Sequence, residues 1–132
     1  MPTLDEQVAW WTKQAAHDLE VAKSNRQHGF HDVCALMCQQ CAEKYLKALY
    51  MKMYAATPPK THHCDRLANL LKAPASVADA ARLVESDYME SRYPDAALGV
   101  PYEQFTDSDS LEHVQAAEEV QRWVLQKLGQ KP

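Results

Sequence analysis

Apolar residues recur at three- and four-residue steps along most of this chain of 132 residues. In the first stretch these positions are Leu4, Val8, Trp11, Ala15, Leu19 and Ala22. Such a period places the apolar side chains on one face of an α-helix. The chain has only three glycines, and it is rich in Ala, Leu, Gln, Glu and Lys, which favour helices. The sequence therefore predicts an all-α fold.

Start and stop signals predict four long helices and one short helix. Thr3 and Glu6 form a capping-box pair at the start of the first helix, and Gly29 follows its end. The five predicted helices cover about residues 4–28, 31–54, 65–72 and 74–91, and the last begins at residues 108–110 and ends near 128. Because most connections are short, we expect a single domain, residues 1–132, folded as an antiparallel up-and-down helical bundle.

Residues 92–107 show no sustained apolar period and contain Pro94, Gly99 and Pro101. This segment is predicted to be a long loop, packed by the side chains of its own aromatic residues Tyr93, Tyr102 and Phe105.

The second predicted helix has the broadest apolar surface. Its main stripe consists of Cys34, Cys38, Cys41, Tyr45 and Leu49, and further apolar residues widen it. We expect this helix to lie at the centre of the bundle or to face a partner. The tryptophans Trp10, Trp11 and Trp123 are predicted to lie in the core or at a dimer interface.

The net charge of −4 is unevenly distributed. Residues 1–75 carry nine Lys and Arg against seven Asp and Glu, whereas residues 76–132 carry five against eleven. The acidic second half disfavours a broad face for duplex DNA, although a single nucleotide or a short RNA remains compatible with a local basic site.

Without a signal-peptide pattern or a membrane-spanning run, the sequence predicts a cytoplasmic protein with reduced thiols.

Four segments of the chain, in order, form a pattern that extends over most of its length. The first is the spacing of Trp11, Ala15, Asp18, Leu19 and Ala22. The others are CQQCAEKYLKAL at 38–49, PPKTH at 58–62 with the leucines that follow it, and SRYPD at 91–95. Together these segments resemble the HEPN family, the nucleotide-binding domain of higher eukaryotes and prokaryotes. The resemblance implies a helical bundle that commonly dimerises.

The resemblance also implies one of two activities. Some HEPN proteins are metal-independent RNases, often toxins, which carry an Arg followed four to six residues later by a His. Others lack this pair and bind nucleotides or accompany a minimal nucleotidyltransferase. Arg92 is the natural arginine here, but no histidine lies between it and His113. Arg26 and His31 have the spacing, but they lie at the junction of the first two helices, which is not where the family has its site. Because one such match is readily expected by chance in a chain of this length, the pair carries little weight.

Six residues are predicted to bind a ligand: Arg92, Tyr93, Lys44, Lys47, Glu43 and His62. Arg92 would hold a phosphate while Tyr93 stacks on a base. The alternative for Arg92 is a structural ion pair with neighbouring acidic residues. Glu43, Lys44 and Lys47 would otherwise form a solvated helix face. His62 would otherwise cap a turn.

No catalytic residue, metal site or cofactor is predicted. Cys34, Cys38 and Cys41 share a helix face, with His62, His63 and Cys64 further along, but no CxxC knuckle is present.

The leading hypothesis is a non-catalytic, dimeric nucleotide-binding or interaction module that accompanies a nucleotidyltransferase. The alternatives are a divergent RNase of toxin type that uses Arg92 with His62 or Tyr93, and a scaffold dimer without a small ligand.

Overall fold

The structure is a computed structural model that describes residues 1–86 and 92–130, with the side chain of Ser86 excluded. Its helices are α1 (Leu4–Gln27), α2 (His31–Tyr54), α3 (Cys64–Leu70), α4 (Ala75–Ser86), α5 (Pro94–Ala97), α6 (Pro101–Gln104) and α7 (Asp107–Lys127). The described ranges contain no β-strand, so the predicted all-α fold is confirmed. None of the helices in these ranges has the length and apolar content needed to cross a membrane.

Local signals account for most of the helix ends. The Thr3 hydroxyl accepts a hydrogen bond from the first turn of α1, and Gly29 adopts a φ of 82° just beyond its end. Ala55 ends α2 in the left-handed region, with a φ of 49°. Thr106 and Asp109 form a complete capping box at the start of α7. The sequence analysis did not use this last signal and placed the start of α7 a few residues late.

Within the described residues, two short helices lie in the segment predicted to be a loop. Pro94 begins α5 and Pro101 begins α6, and each helix is only four residues long. Proline suits the first helical position because its φ is already helical and its missing N–H would have no partner there. The five predicted helices are present, but the prediction of a loop without helices over residues 92–107 is wrong. The predicted extension of α4 towards residue 91 falls outside the described residues.

The aromatic residues of this segment do not pack it as predicted. Tyr93 and Tyr102 are exposed. Phe105 is half-buried, and the edge of its ring lies against His113, with the ring centroids 6.2 Å apart. Among the contacts that the structure describes, that of Phe105 with His113 joins this segment to a buried side chain of α7.

Helix α2 lies at the centre of the fold, as the sequence predicts. It contacts α1, α3, α4, α6 and α7. The side chains of its predicted stripe are at most 1% exposed: Cys34, Cys38, Cys41, Tyr45 and Leu49. A helix that is enclosed by others must be apolar on several sides, which explains its broad apolar surface.

Ion pairs between helices give the directions of α1, α2 and α7. These pairs are Asp5–Lys52, Asp18–Lys44, Arg26–Asp107 and Lys23–Glu118. The first two make α1 antiparallel to α2, and the last two make α1 antiparallel to α7. The complete up-and-down arrangement, which also involves α4, stays a prediction.

The tryptophans lie outside the fully buried core. Trp10 is 58% exposed on α1, whereas Trp11 and Trp123 are half-buried and pack against the margins of the core. A core position is therefore wrong for Trp10, and an interface role for it stays a prediction.

Candidate functional site

Glu43 lies at the centre of a polar cluster formed by Gln39, Glu43, Lys47 and His62, which we call the Glu43 cluster. Its carboxylate accepts hydrogen bonds from Lys47 Nζ at 3.0 Å and Gln39 Nε2 at 3.0 Å, and its Oε1 lies 3.1 Å from His62 Nδ1. The side chains of Glu43 and Lys47 are only 10% and 9% exposed, whereas that of His62 is 62% exposed. A solvated helix face is therefore the wrong description of Glu43 and Lys47.

Gln39, which the sequence analysis did not select, connects α2 to the segment before α3. Its fully buried side chain donates from Nε2 to Glu43 and to the backbone carbonyl of His62, at 2.9 Å. Its Oε1 accepts from Gln40 Nε2 at 2.8 Å. A glutamine four residues before Glu43 in an apolar helix is the signal that could have identified it, because residues at this spacing share a face.

The environment of Glu43 keeps this carboxylate ionised. Burial by itself raises the pKa of Glu43, but the hydrogen bonds from Lys47, Gln39 and His62 and the charge of Lys47 outweigh it. The pKa of Glu43 therefore lies below its usual value. At neutral pH the cluster contains a compensated buried ion pair with an exposed imidazole at its edge.

We expect the stabilising contribution of ionised Glu43 to be lost in acid. Its pKa is lower in the folded chain than in the unfolded chain, where it is about 4.3. The contribution is therefore complete above that pH and disappears as the pH falls through the folded pKa. Urea unfolding at about pH 7 and about pH 3 should show a larger loss of unfolding free energy for the native sequence than for Glu43→Gln. An equal loss in both would contradict the role assigned to this carboxylate.

Lys44 belongs to a second ionic group, between α1 and α2. Its Nζ lies 2.6 Å from the Asp18 carboxylate, which is buried and also accepts from Gln14 at 3.0 Å. A longer contact of 3.4 Å joins Lys44 to Gln40, which bonds to Gln39 and so connects the two groups. Lys44 also lines a cavity of about 300 Å³ together with Trp10, Trp11 and Gln14.

Arg92 and Tyr93 form a third group. Both residues are exposed, and the Arg92 guanidinium carbon lies 5.4 Å from the centroid of the Tyr93 ring. This distance is within the range of a cation–π contact. The hydrogen bonds and ion pairs described for Glu43, Lys44 and Lys47 do not include these two residues. Among the contacts described, Glu43, Lys47 and His62 meet in one cluster, Lys44 is joined to it through Gln40 and Gln39, and Arg92 contacts Tyr93.

Arg26 and His31, the pair with the RNase spacing, both contact the start of α7. The Arg26 guanidinium lies 2.9 Å from the Asp107 carboxylate, and His31 Nδ1 lies 2.8 Å from Ser110 Oγ. These contacts connect the junction of α1 and α2 to α7 and give both residues a structural role.

The four cysteines are buried free thiols. Burial raises the pKa of Cys41 and of Cys64 above the usual value of a thiol. The thiol is therefore the form of these two side chains at neutral pH, and a buried thiol is unreactive.

Comparisons with known proteins support one family. A search of curated proteins finds no match. Two solved structures are similar: an archaeal HEPN homologue, ST0689, has a TM-score of 0.81 and 33% identity, covering 92% of this chain and 97% of the other. TT1696 from Thermus thermophilus has a TM-score of 0.84 and 25% identity, covering 92% and 98%. The HEPN domain family model matches residues 8–128, and this chain therefore belongs to the HEPN family.

Proposed function

We propose that this HEPN protein is a non-catalytic module that binds a nucleotide or a short RNA and acts as a homodimer. The observation that carries the proposal is the exposed pair of Arg92 and Tyr93, with 5.4 Å between guanidinium carbon and ring centroid. A guanidinium can hold a phosphate through two parallel hydrogen bonds. An exposed tyrosine ring can stack on any base. One nucleotide can therefore use both side chains at once.

The geometry of the only arginine–histidine pair with RNase spacing supports a non-catalytic role. An RNase of this kind needs an arginine that holds phosphate and a histidine that exchanges a proton with a ribose oxygen. Arg26 is paired with Asp107, and His31 contacts Ser110. Phosphate binding would have to compete with both contacts.

We expect Arg92→Ala to weaken nucleotide binding by at least about tenfold, because a charge-assisted pair contributes about 1.5–3 kcal/mol. Isothermal titration with adenosine and guanosine nucleotides measures this change. Arg122→Ala is the matched control, since Arg122 is 58% exposed and pairs with Glu119 on its own helix. Tyr93→Leu tests the stacking contribution and should lower affinity about fivefold or more.

Two results would contradict this proposal. One is the absence of binding heat for every common nucleotide and for short single-stranded RNA. The other is an equal loss of affinity in Arg92→Ala and Arg122→Ala, which would indicate non-specific attraction of a charged ligand.

A divergent RNase is the second candidate, and the position of His62 favours it. The exposed imidazole lies 3.1 Å from the Glu43 carboxylate, an arrangement in which a carboxylate orients a general base. RNA cleavage without added metal that is abolished by His62→Gln and by Arg92→Ala would establish this activity. Intact RNA at high protein concentration would exclude it.

The assembly state and the partners are further parts of the proposal. Trp10, 58% exposed beside half-buried Trp11, gives α1 an aromatic surface suited to a second copy of the chain. Light scattering that gives a monomer at micromolar concentration would contradict dimerisation. Dimerisation without nucleotide binding would favour the scaffold alternative.

The proposed partner protein is a minimal nucleotidyltransferase, and co-purification of the two coexpressed proteins tests this interaction. A cytoplasmic location is proposed because the four cysteines are free thiols.

A further inference from the structure

A group of metal-ligating side chains lies where α3 meets α4. His63 precedes α3, Asp65 is in its first turn, and Glu85 is near the end of α4. One donor atom from each side chain lies within 4.8 Å of the other two. His63 Nδ1 and Glu85 Oε1 are only 2.7 Å apart. The fold thus brings one imidazole and two carboxylates to one point of the surface.

We infer that His63, Asp65 and Glu85 bind a divalent metal ion, with zinc as the best fit. Zinc accepts imidazole nitrogen and carboxylate oxygen at about 2.0–2.2 Å. Two carboxylates balance the charge of the ion, and an imidazole favours zinc over magnesium or calcium, which prefer oxygen ligands. Ligand atoms of a tetrahedral site lie about 3.5 Å apart, so only small side-chain adjustments are required.

The surroundings leave the ion accessible. The side chains of His63 and Glu85 are 61% and 19% exposed. Asp65 Oδ1 accepts a backbone hydrogen bond at 2.8 Å from Arg66, which orients the carboxylate and leaves its other oxygen for a metal. A cavity of about 470 Å³, lined in part by His63, Asp65 and Asn69, opens beside them. A water molecule can therefore occupy the fourth position.

Cys64 does not belong to this site, although it lies between His63 and Asp65 in the sequence. Its thiol is fully buried and contacts Gln39 instead. The proposed ligand atoms are therefore nitrogen and oxygen only. A site that included a cysteine would differ from it by the absorption band of a metal–thiolate bond.

Metal binding exchanges one interaction for another. When Nδ1 is the ligand, the ion replaces the contact between Nδ1 and the Glu85 carboxylate, and the single proton of the neutral imidazole is carried by Nε2. The ion then connects α3 to α4 through three bonds. Because only the folded chain presents the three ligands together, zinc should raise the melting temperature.

Calorimetric titration of the full chain with zinc alone tests this inference. We expect one ion per chain, with affinity lowered at least about tenfold in His63→Gln, Glu85→Gln and Asp65→Asn, since even outer partners of metal ligands have effects of that size. His28→Gln is the control, because it removes an exposed imidazole at the end of α1 and should leave the affinity unchanged.

Cobalt provides the second readout, and circular dichroism confirms that each variant is folded. The cobalt complex should lack the near-ultraviolet charge-transfer band of thiolate ligands. The inference is overturned by the absence of zinc binding, by equal affinity in folded Glu85→Gln, or by a thiolate band. Because neither Arg92 nor Tyr93 takes part, nucleotide binding can fail without affecting these results.

Discussion

Replacing Lys47 by alanine should lower the free energy of unfolding by about 3 kcal/mol. The side chains of Lys47 and Glu43 are almost completely buried, with Nζ and Oε2 3.0 Å apart. Alanine would remove the charge that compensates Glu43 and leave a buried carboxylate with Gln39 and His62 as its remaining partners. We expect the melting temperature to fall by about 10 °C for a chain of this length.

Two variants control for other effects of this substitution. Lys52→Ala removes a lysine of the same helix whose ion pair with Asp5 is mostly exposed, so it should change stability by less than about 1 kcal/mol. The double variant Glu43→Gln/Lys47→Met should recover much of the loss, because an apolar and a neutral residue can replace a buried ion pair at little cost.

The result also separates two roles of Lys47. Equal stability of Lys47→Ala and Lys52→Ala would contradict a structural ion pair. If Lys47→Ala then lost nucleotide binding while retaining its stability, Lys47 would be a ligand-binding residue, as the sequence analysis proposed. A large loss of stability instead indicates that its main role is to hold α2 and the His62 segment in place.

Leu46→Ala is the second variant with a large expected effect, a loss of about 2–5 kcal/mol. Leu46 is fully buried in the main core, on a helix that contacts five others. The cavity left by the shorter side chain cannot close by movement of one neighbour alone, because interiors are close-packed. Denaturant unfolding measures the loss.

Leu111→Ala on α7 is the matched control, since Leu111 is 41% exposed. It should cost less than about 1 kcal/mol, and Leu46→Met, which conserves volume, less than about 1.5 kcal/mol. Equal unfolding free energies for Leu46→Ala and Leu111→Ala would contradict the central position of α2. Because native domains are stable by only about 5–15 kcal/mol, the Leu46→Met result remains informative if Leu46→Ala does not fold.

Local sequence signals were sufficient for the long helices. The stripe of α2, the threonine cap of α1 and the glycine after it lie where the periodicity and capping rules place them. The helices α5 and α6 were missed because a single turn is too short to show a period. Each begins with a proline, but proline also favours turns, so it does not by itself predict a helix.

The candidate sites depended far more on tertiary structure. The sequence places Glu43 and Lys47 four residues apart on one helix face, but only the tertiary structure shows that both are buried and that His62 contacts Glu43. The partner of Lys44 comes from α1, and the partner of His63 comes from α4. No rule based on residue spacing connects positions so far apart.

The sequence by itself determined that the chain is helical, where its long helices lie and which family it belongs to. Backbone hydrogen bonds, caps and apolar periodicity act over a few residues, so a linear sequence displays them directly. Only the tertiary structure decided which charges are removed from water and which side chains from separate helices meet. Those properties depend on the dielectric environment and on distances across the fold, which form only when the helices pack together.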